Sequence, residues 1–258
     1  MKEKEFYIGY LPKAPKGIGK IVSWVSALLL ILVCVSSFLM ISSEKKFDDS
    51  TFEFGEYNSF EGIIMENPYP RILIERPGET GMHPKYSQYY LAQFGKFGGG
   101  KMVEGLEGKS VKLQGSLIYR DDQTMIEIKD NSISHDHTSD NDIIPEFNSI
   151  LPQENLGTHT LKGEIVDSKC FYGVMNPGNL KVHKACAINC IRGGMPPVFV
   201  VKDSNGNVGY YLLQDKNGNA VNDRILDKIA EPVKIKGEVI KQGDLLILKA
   251  DPASYTEL

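Results

Sequence analysis

The sequence contains an internal repeat of short segments in which apolar and polar residues alternate. Alternation with a period of two is typical of β-strands that bury one face. Turn-forming residues precede the last segment of each copy, as RDDQ in the first and KQGD in the second. Each copy is therefore predicted to form about five strands with little helix. The matching segments are FEGII and LKGEI, QYYLAQ and GYYLLQ, VKLQGSLI and VKIKGEVI, and MIEIKD and LLILKAD.

Short strands in a repeat of this size predict a small closed β-barrel of the OB type in each copy. Glycine interrupts the first and fourth strands, where a strongly coiled sheet needs a side chain removed. An open β-sandwich is the alternative. The first barrel is predicted at residues 52–130, a polar and acidic linker at 131–158, and the second barrel at 159–252.

An uncharged apolar run extends from Ile21 to Ile41. As a helix it would rise about 30 Å, which is the thickness of the hydrocarbon core of a bilayer. A cleavable signal peptide has a shorter apolar region of about 7–15 residues. The run therefore predicts a membrane anchor, and the predicted fold class is mainly β: one N-terminal transmembrane helix followed by two tandem OB-like barrels.

The charges on either side of the apolar run predict its orientation. Residues 1–20 contain five lysines and two glutamates, so this tail carries +3 and the remainder of the chain −7. The positive-inside rule then places the N-terminus in the cytoplasm and the barrels outside. For a bacterial chain this means a single-pass inner-membrane protein with periplasmic domains. An acidic exported part argues against nucleic acid as a partner, because phosphate binding needs a basic face.

The second copy contains an insert that the first copy lacks. From glycine in the first strand to the second strand, the first copy takes ten residues and the second takes thirty-five. The insert, residues 168–196, holds three of the four cysteines and one of the five histidines. Because the sister copy lacks it, the barrel fold alone does not require it. The insert must either stabilise the second barrel or perform a function.

Within the insert, a helix is predicted from about Asn179 to Ile191, closed by a Gly-Gly pair. His183, Cys186 and Cys190 occupy positions i, i+3 and i+7, so they share a stripe about 60° wide. Cys170, just after the first strand, can fold back over this stripe.

Three sulfurs and one imidazole suit a tetrahedral zinc ion, and soft thiolates also suit Cu(I). The sequence therefore predicts a metal site formed by Cys170, His183, Cys186 and Cys190. Met175 and Met195 flank the cluster and are possible additional ligands for copper.

Two other interpretations of the cysteines remain open. A disulfide from Cys170 to Cys186 or Cys190 would stabilise a loop too small to have its own core, by about 2–4 kcal/mol. It would leave one unpaired thiol in an oxidising compartment. Alternatively, Cys186 or Cys190 could carry out thiol–disulfide exchange.

Nucleotide and covalent haem are not expected as cofactors. There is no C-x-x-C-H motif for haem attachment. The segment GKFGGGKM has the glycine and lysine spacing of a phosphate-binding loop, but Met102 stands where Ser or Thr would bind magnesium. A flexible hairpin loop is the better interpretation of this segment.

The run GEIVDSKC, followed by HKACAINCIRGGMPPVFVV, resembles a motif of uncharacterised bacterial membrane-anchored extracytoplasmic proteins with OB-like β-domains. The resemblance covers about the C-terminal hundred residues and rests on the Cys/His spacing. It implies a membrane-anchored protein of tandem barrels with a Cys/His site, and no catalytic role carries over from it, because the similar proteins have no known activity. We therefore expect an accessory or binding protein, with a membrane or periplasmic protein as partner, associated with a redox or other envelope complex.

Overall fold

The computed structural model describes residues 15–43, 50–76, 86–135 and 151–258 of the chain. The chain divides into two compact units, residues 1–47 and 48–258, which are described separately. Most of the predicted cytoplasmic tail, residues 1–20, lies outside the described residues.

The first unit contains one helix, α1, at Lys16–Ser43. The segment Gly17–Ser43 is long and apolar enough to span a membrane. The predicted span, Ile21–Ile41, lies within it. Its leucine, isoleucine and valine side chains are exposed, as expected of a helix whose apolar surface is not covered by protein.

The second unit begins with a small closed barrel. Strand β5 pairs with both β2 and β6, and β4 pairs with β6 in parallel, so five strands close and β1 adds to β5 at the edge. The elements are β1 (Ser50–Phe52), β2 (Asn58–Met65), β3 (Arg71–Glu75), β4 (Tyr86–Ala92), α2 (Gly100–Val103), β5 (Ser110–Arg120) and β6 (Gln123–Ile128).

A second closed barrel follows with the same strand order. Here β10 pairs with β7 and β11, β9 pairs with β11 in parallel, and β12 adds to β10. The predicted mainly β fold with two tandem small barrels is confirmed. The elements are β7 (Gln153–Asp167), a π-helical turn (Cys170–Val174), α3 (Leu180–Arg192), β8 (Pro197–Lys202), β9 (Val208–Gln214), β10 (Pro232–Gln242), β11 (Leu245–Lys249) and β12 (Thr256–Glu257).

The start of the second barrel differs from the prediction. Strand β7 begins at Gln153, within the segment assigned to the linker at 131–158. Its first residues pair with β10, from Gln153 opposite Gln242 to Thr158 opposite Glu238. The side chains there are exposed on both faces, so backbone pairing holds this part of the strand and no apolar alternation marks it in the sequence. Residues 136–150 of the predicted linker lie outside the described residues.

A buried apolar cluster lies between the two barrels, in addition to the cluster inside each of them. We call it the inter-barrel core. It contains side chains from both barrels and from the insert, and it makes the barrels one packed body. Its members include Tyr69, Tyr90, Ile118 and Met125 from the first barrel and Cys170, Phe171, Tyr172, Cys190, Met195, Tyr210 and Leu212 from the second.

Each barrel extends its last hairpin onto the other. From the first barrel, Asp121 accepts a hydrogen bond from the Tyr210 hydroxyl. From the second, the turn between β10 and β11 holds Gln88, whose Nε2 donates to the Gln242 carbonyl at 2.7 Å and to Asp244 Oδ1 at 3.0 Å. The last hairpin of each barrel therefore contacts the other barrel.

The hydrogen bonds of the Tyr69 hydroxyl allow a test of the interface between the two barrels. The hydroxyl donates to the Leu213 carbonyl at 3.1 Å and accepts the Val221 N–H at 3.0 Å, both across the interface. Tyr69→Phe leaves both backbone groups unsatisfied, so we expect a loss of about 1–3 kcal/mol in the free energy of unfolding. The measurement is urea denaturation of the full-length protein in detergent. The matched change Tyr57→Phe, at an exposed tyrosine, should cost less than about 0.5 kcal/mol. Equal effects would contradict the assigned interface.

Candidate metal centre

The insert begins at the end of β7, where an aspartate fixes the following turn. Asp167 is fully buried, and its Oδ1 accepts the N–H of Cys170 at 2.8 Å. This bond caps the π-helical turn and sets the position of the Cys170 side chain. The sequence DSKC thus carries a local reason for the placement of its cysteine.

Helix α3 carries the other predicted ligands on the face toward the inter-barrel core. His183 and Cys190 are buried, with Cys190 only 1% exposed, and Cys186 is partly exposed. The predicted stripe is therefore present, and it points to the side on which Cys170 lies.

The Cys170 and Cys186 sulfurs are 4.0 Å apart. A disulfide would bring them to about 2.05 Å. Two sulfurs bound to one tetrahedral zinc ion at about 2.3 Å would lie about 3.8 Å apart. All four cysteines of the chain are in the described residues and are free thiols. The spacing of this pair thus matches a shared ion rather than a covalent bond.

Two overlapping groups of side chains are close enough to hold an ion. The ligand atoms of Cys170, His183 and Cys186 lie within 4.8 Å of one another, and so do those of Asp167, Cys170 and Cys190. Cys170 belongs to both groups and is the centre of the cluster. The four predicted ligands therefore lie in one place, and an aspartate joins them.

Asp167 contacts both the histidine and the Cys170 backbone, and its carboxylate is also close enough to be a ligand. In the tautomer protonated at Nε2, His183 donates to Asp167 Oδ2 at 3.0 Å, while Oδ1 already accepts the Cys170 N–H. Both carboxylate oxygens are therefore engaged in hydrogen bonds. Carboxylate–imidazole pairs of this kind fix the ring of metal-bound histidines. Sequence reasoning missed this role, although the aspartate stands three residues before Cys170.

The thiols differ in their tendency to ionise. A hydrogen bond from the Cys170 thiol lowers the pKa of Cys190, and the same bond, with burial, raises the pKa of Cys170. Burial raises the pKa of Cys186. The Lys96 ammonium makes a hydrogen bond with Cys186, which raises the pKa of Lys96. The cluster thus contains one thiol disposed to ionise and a cation at its open side, and its three sulfurs and one imidazole fit zinc or Cu(I).

The two methionines differ in position. Met195 is fully buried in the inter-barrel core, and its N–H donates to the Cys190 carbonyl at 3.1 Å. Met175 follows the π-helical turn and is 45% exposed. Of the two predicted additional copper ligands, Met195 shares the buried cluster of the thiols.

The segment that resembles a phosphate-binding loop packs against the insert instead. The Gly98 N–H donates to the Gly193 carbonyl at 3.0 Å. A Cβ on Gly98 would lie 2.2 Å from the Gly194 carbonyl oxygen, and one on Gly193 would lie 2.1 Å from that of Lys96. The glycines are needed because two backbones touch here. Gly193 and Gly194 therefore end α3, as predicted, and also admit the loop that brings Lys96 to Cys186.

A buried lysine fixes the same loop from the other side. Lys169 is 3% exposed and forms an ion pair with Glu127. Its ammonium also donates to the carbonyls of Gln93 at 2.8 Å and Gly95 at 2.9 Å. Full pairing offsets the cost of removing these charges from water. Lys169 thus binds the insert to the first barrel next to Cys170.

No protein-family model matches the sequence. Comparison with curated proteins gives no significant match.

Replacing Lys169 should show how much the free energy of unfolding depends on pairing the buried Glu127 carboxylate. Lys169→Met leaves the Glu127 carboxylate buried without a partner, so we expect the free energy of unfolding to fall by about 3–5 kcal/mol. The double change Lys169→Met, Glu127→Gln should cost clearly less than the sum of the single changes. Urea denaturation of the full-length variants measures both, with exposed Lys236→Met as the control. Strict additivity would show that the two side chains are not coupled.

Proposed function

We propose that this chain is a membrane-anchored metal-binding protein without catalytic activity. One zinc ion is held by Cys170, His183, Cys186 and Cys190. The observation that carries the proposal is the convergence of three free thiols and an imidazole at the edge of an apolar core. A fully hydrogen-bonded carboxylate behind the imidazole supports it.

The burial of the ligands favours a structural role for the ion. Structural zinc sites take all four ligands from the protein, whereas catalytic sites keep one position for water or substrate. Three of the four proposed ligands are buried, and only Cys186 is partly exposed. When bound, the ion supplies coordination bonds that join the π-helical turn to α3. The insert is then a rigid part of the inter-barrel core.

Thiol–disulfide exchange is less compatible with the geometry. Exchange needs an accessible thiol of lowered pKa. The thiol with the lowered pKa, Cys190, is buried, and burial raises the pKa of the partly exposed Cys186. A disulfide staple between Cys170 and Cys186 would need the sulfurs to approach by about 2 Å. It would also leave Cys190 unpaired in the core.

The proposal includes the location of the protein in the cell. The apolar helix and the lysines before it support a single-pass anchor in a bacterial inner membrane, with the N-terminus in the cytoplasm and the barrels in the periplasm. In that oxidising compartment a bound ion would keep three neighbouring thiols from pairing with each other. The protein would act as an accessory subunit, with a membrane or periplasmic protein of a redox or other envelope complex as its partner.

The metal content of the full-length protein, purified in detergent, tests the proposed site. We expect one ion per chain by elemental analysis, and loss of the ion in Cys170→Ser and Cys190→Ser. His183→Ala should lower the content when metal is limiting. The matched controls are Cys34→Ser, in the apolar helix, and His159→Ala, at an exposed histidine, and both should keep the ion.

The same samples separate the competing outcomes. Finding copper in place of zinc would support the proposed ligands but would show that the bound ion is not zinc. Metal-free protein with two thiols fewer than the four in the sequence would indicate a disulfide and overturn the proposal. After removal of the ion by a chelator, we expect all four thiols to react and the melting temperature to fall.

The carboxylate behind the histidine gives an independent prediction. Asp167→Asn keeps an acceptor for the Cys170 N–H but loses the charge that favours the bound imidazole. We expect metal affinity to fall about 10–100-fold with one ion still bound at saturation. Competition with a chromophoric chelator measures this affinity. Asp203→Asn, in an exposed turn, serves as the control. An unchanged affinity would remove Asp167 from the site.

A further inference from the structure

A cleft of about 700 Å³ opens between the two barrels beside the C-terminal end of α3. Clefts at domain interfaces that combine apolar walls with a few polar groups are the usual places for small ligands. We propose that this cleft binds an organic carboxylate that carries a planar apolar group. The proposal goes beyond the metal site and does not require an ion to be bound there.

The charged side chains of the cleft favour an anion. Lys101 and Arg192 line it, are exposed, and have no hydrogen-bond or ion-pair partner among the described residues. Two other charges are already engaged: Glu66 accepts the N–H groups of Leu106 and Glu107, and Arg224 is paired with Asp215. Asp223 is the remaining carboxylate of the lining. The lining therefore carries three cations against two carboxylates, and two of the cations are available, in a chain whose net charge is −4.

The apolar wall of the cleft favours a flat group. Phe97 lines the cleft and is 57% exposed, and Pro68 and Pro70 lie on the same lining. An exposed aromatic ring in a concave site is available for stacking with a planar ligand. An arginine fork on the same lining can pair with both oxygens of a carboxylate. These two features together define the class of ligand.

The walls are already fixed in place. Asn222 Nδ2 donates to the Ile191 carbonyl at 2.6 Å and to the Met195 carbonyl at 2.9 Å. The hydroxyl of Tyr69 joins the opposite wall to the second barrel. A preformed site loses little conformational entropy when a ligand binds, so even a small ligand should bind measurably.

The probe is 4-fluorobenzoate, observed by fluorine NMR with the full-length protein in neutral detergent and with detergent alone as the blank. We expect saturable binding with a Kd of about a millimolar, as is usual for a ligand of this size. Two analogues separate the two features: 4-fluorobenzamide has the ring without the charge, and fluoroacetate has the charge without the ring. Each should bind about tenfold more weakly or worse.

Variants locate the site. Arg192→Gln and Phe97→Ser should each weaken binding of 4-fluorobenzoate about five- to tenfold. The matched controls Lys236→Gln and Phe54→Ser change an exposed lysine and an exposed phenylalanine outside the cleft, and they should leave binding unchanged. Metal content is measured on every sample, so loss of ligand binding with the ion retained separates this site from the metal site.

Three results would overturn the proposal. The first is no saturable binding up to about 20 mM, well above the Kd expected for a ligand of this size. The second is binding of the amide as tight as that of the carboxylate. The third is equal binding by the cleft variants and their controls.

Discussion

The apolar contact between the barrels is the interaction on which the rest of the structure depends. A five-stranded barrel of this size encloses few side chains, and small domains bury a low fraction of their surface. The inter-barrel core adds a third buried cluster, built from both copies and from the insert. Burial of apolar area stabilises a fold by about 25 cal/mol per Å², so this cluster adds to the stabilisation that each barrel's own core supplies. The Cys/His cluster lies at the edge of the inter-barrel core, with Cys170 and Cys190 among the members of that core.

Burial also decides the chemistry of the thiols. The hydrogen bond with Cys190 and burial in the apolar core raise the pKa of the Cys170 thiol, because a buried thiolate is costly unless a positive charge compensates it. A divalent ion removes this cost for several sulfurs at once. Without an ion, the lowered pKa of Cys190 depends on the Cys170 thiol that donates to it. An ion bound as proposed would hold the sulfurs of the cluster as thiolates without that cost.

The local parts of this arrangement could be predicted from the sequence and the non-local parts could not. Alternation gave the strands, and the spacing of His183, Cys186 and Cys190 gave the face of α3, because both depend on neighbours in the chain. The first residues of β7 carry no apolar alternation, since their pairing with β10 holds them. Lys96 reaches the site, and Glu127 reaches Lys169, only through a fold that joins distant segments. The glycines of GKFGGGKM have the spacing of a phosphate-binding loop, but here they allow a close contact between two backbones. Both situations require glycine, so the sequence alone does not distinguish them.

The insert of the second barrel packs closely against the first barrel. There the packing leaves no space: a Cβ on Gly173 would lie 2.3 Å from the Thr51 carbonyl oxygen of the first barrel. A loop of the first barrel also contacts the insert. Its Lys96 makes a hydrogen bond with Cys186, and two of its carbonyl groups accept hydrogen bonds from Lys169. This loop and β1 of the first barrel therefore cover the insert that carries the predicted ligands.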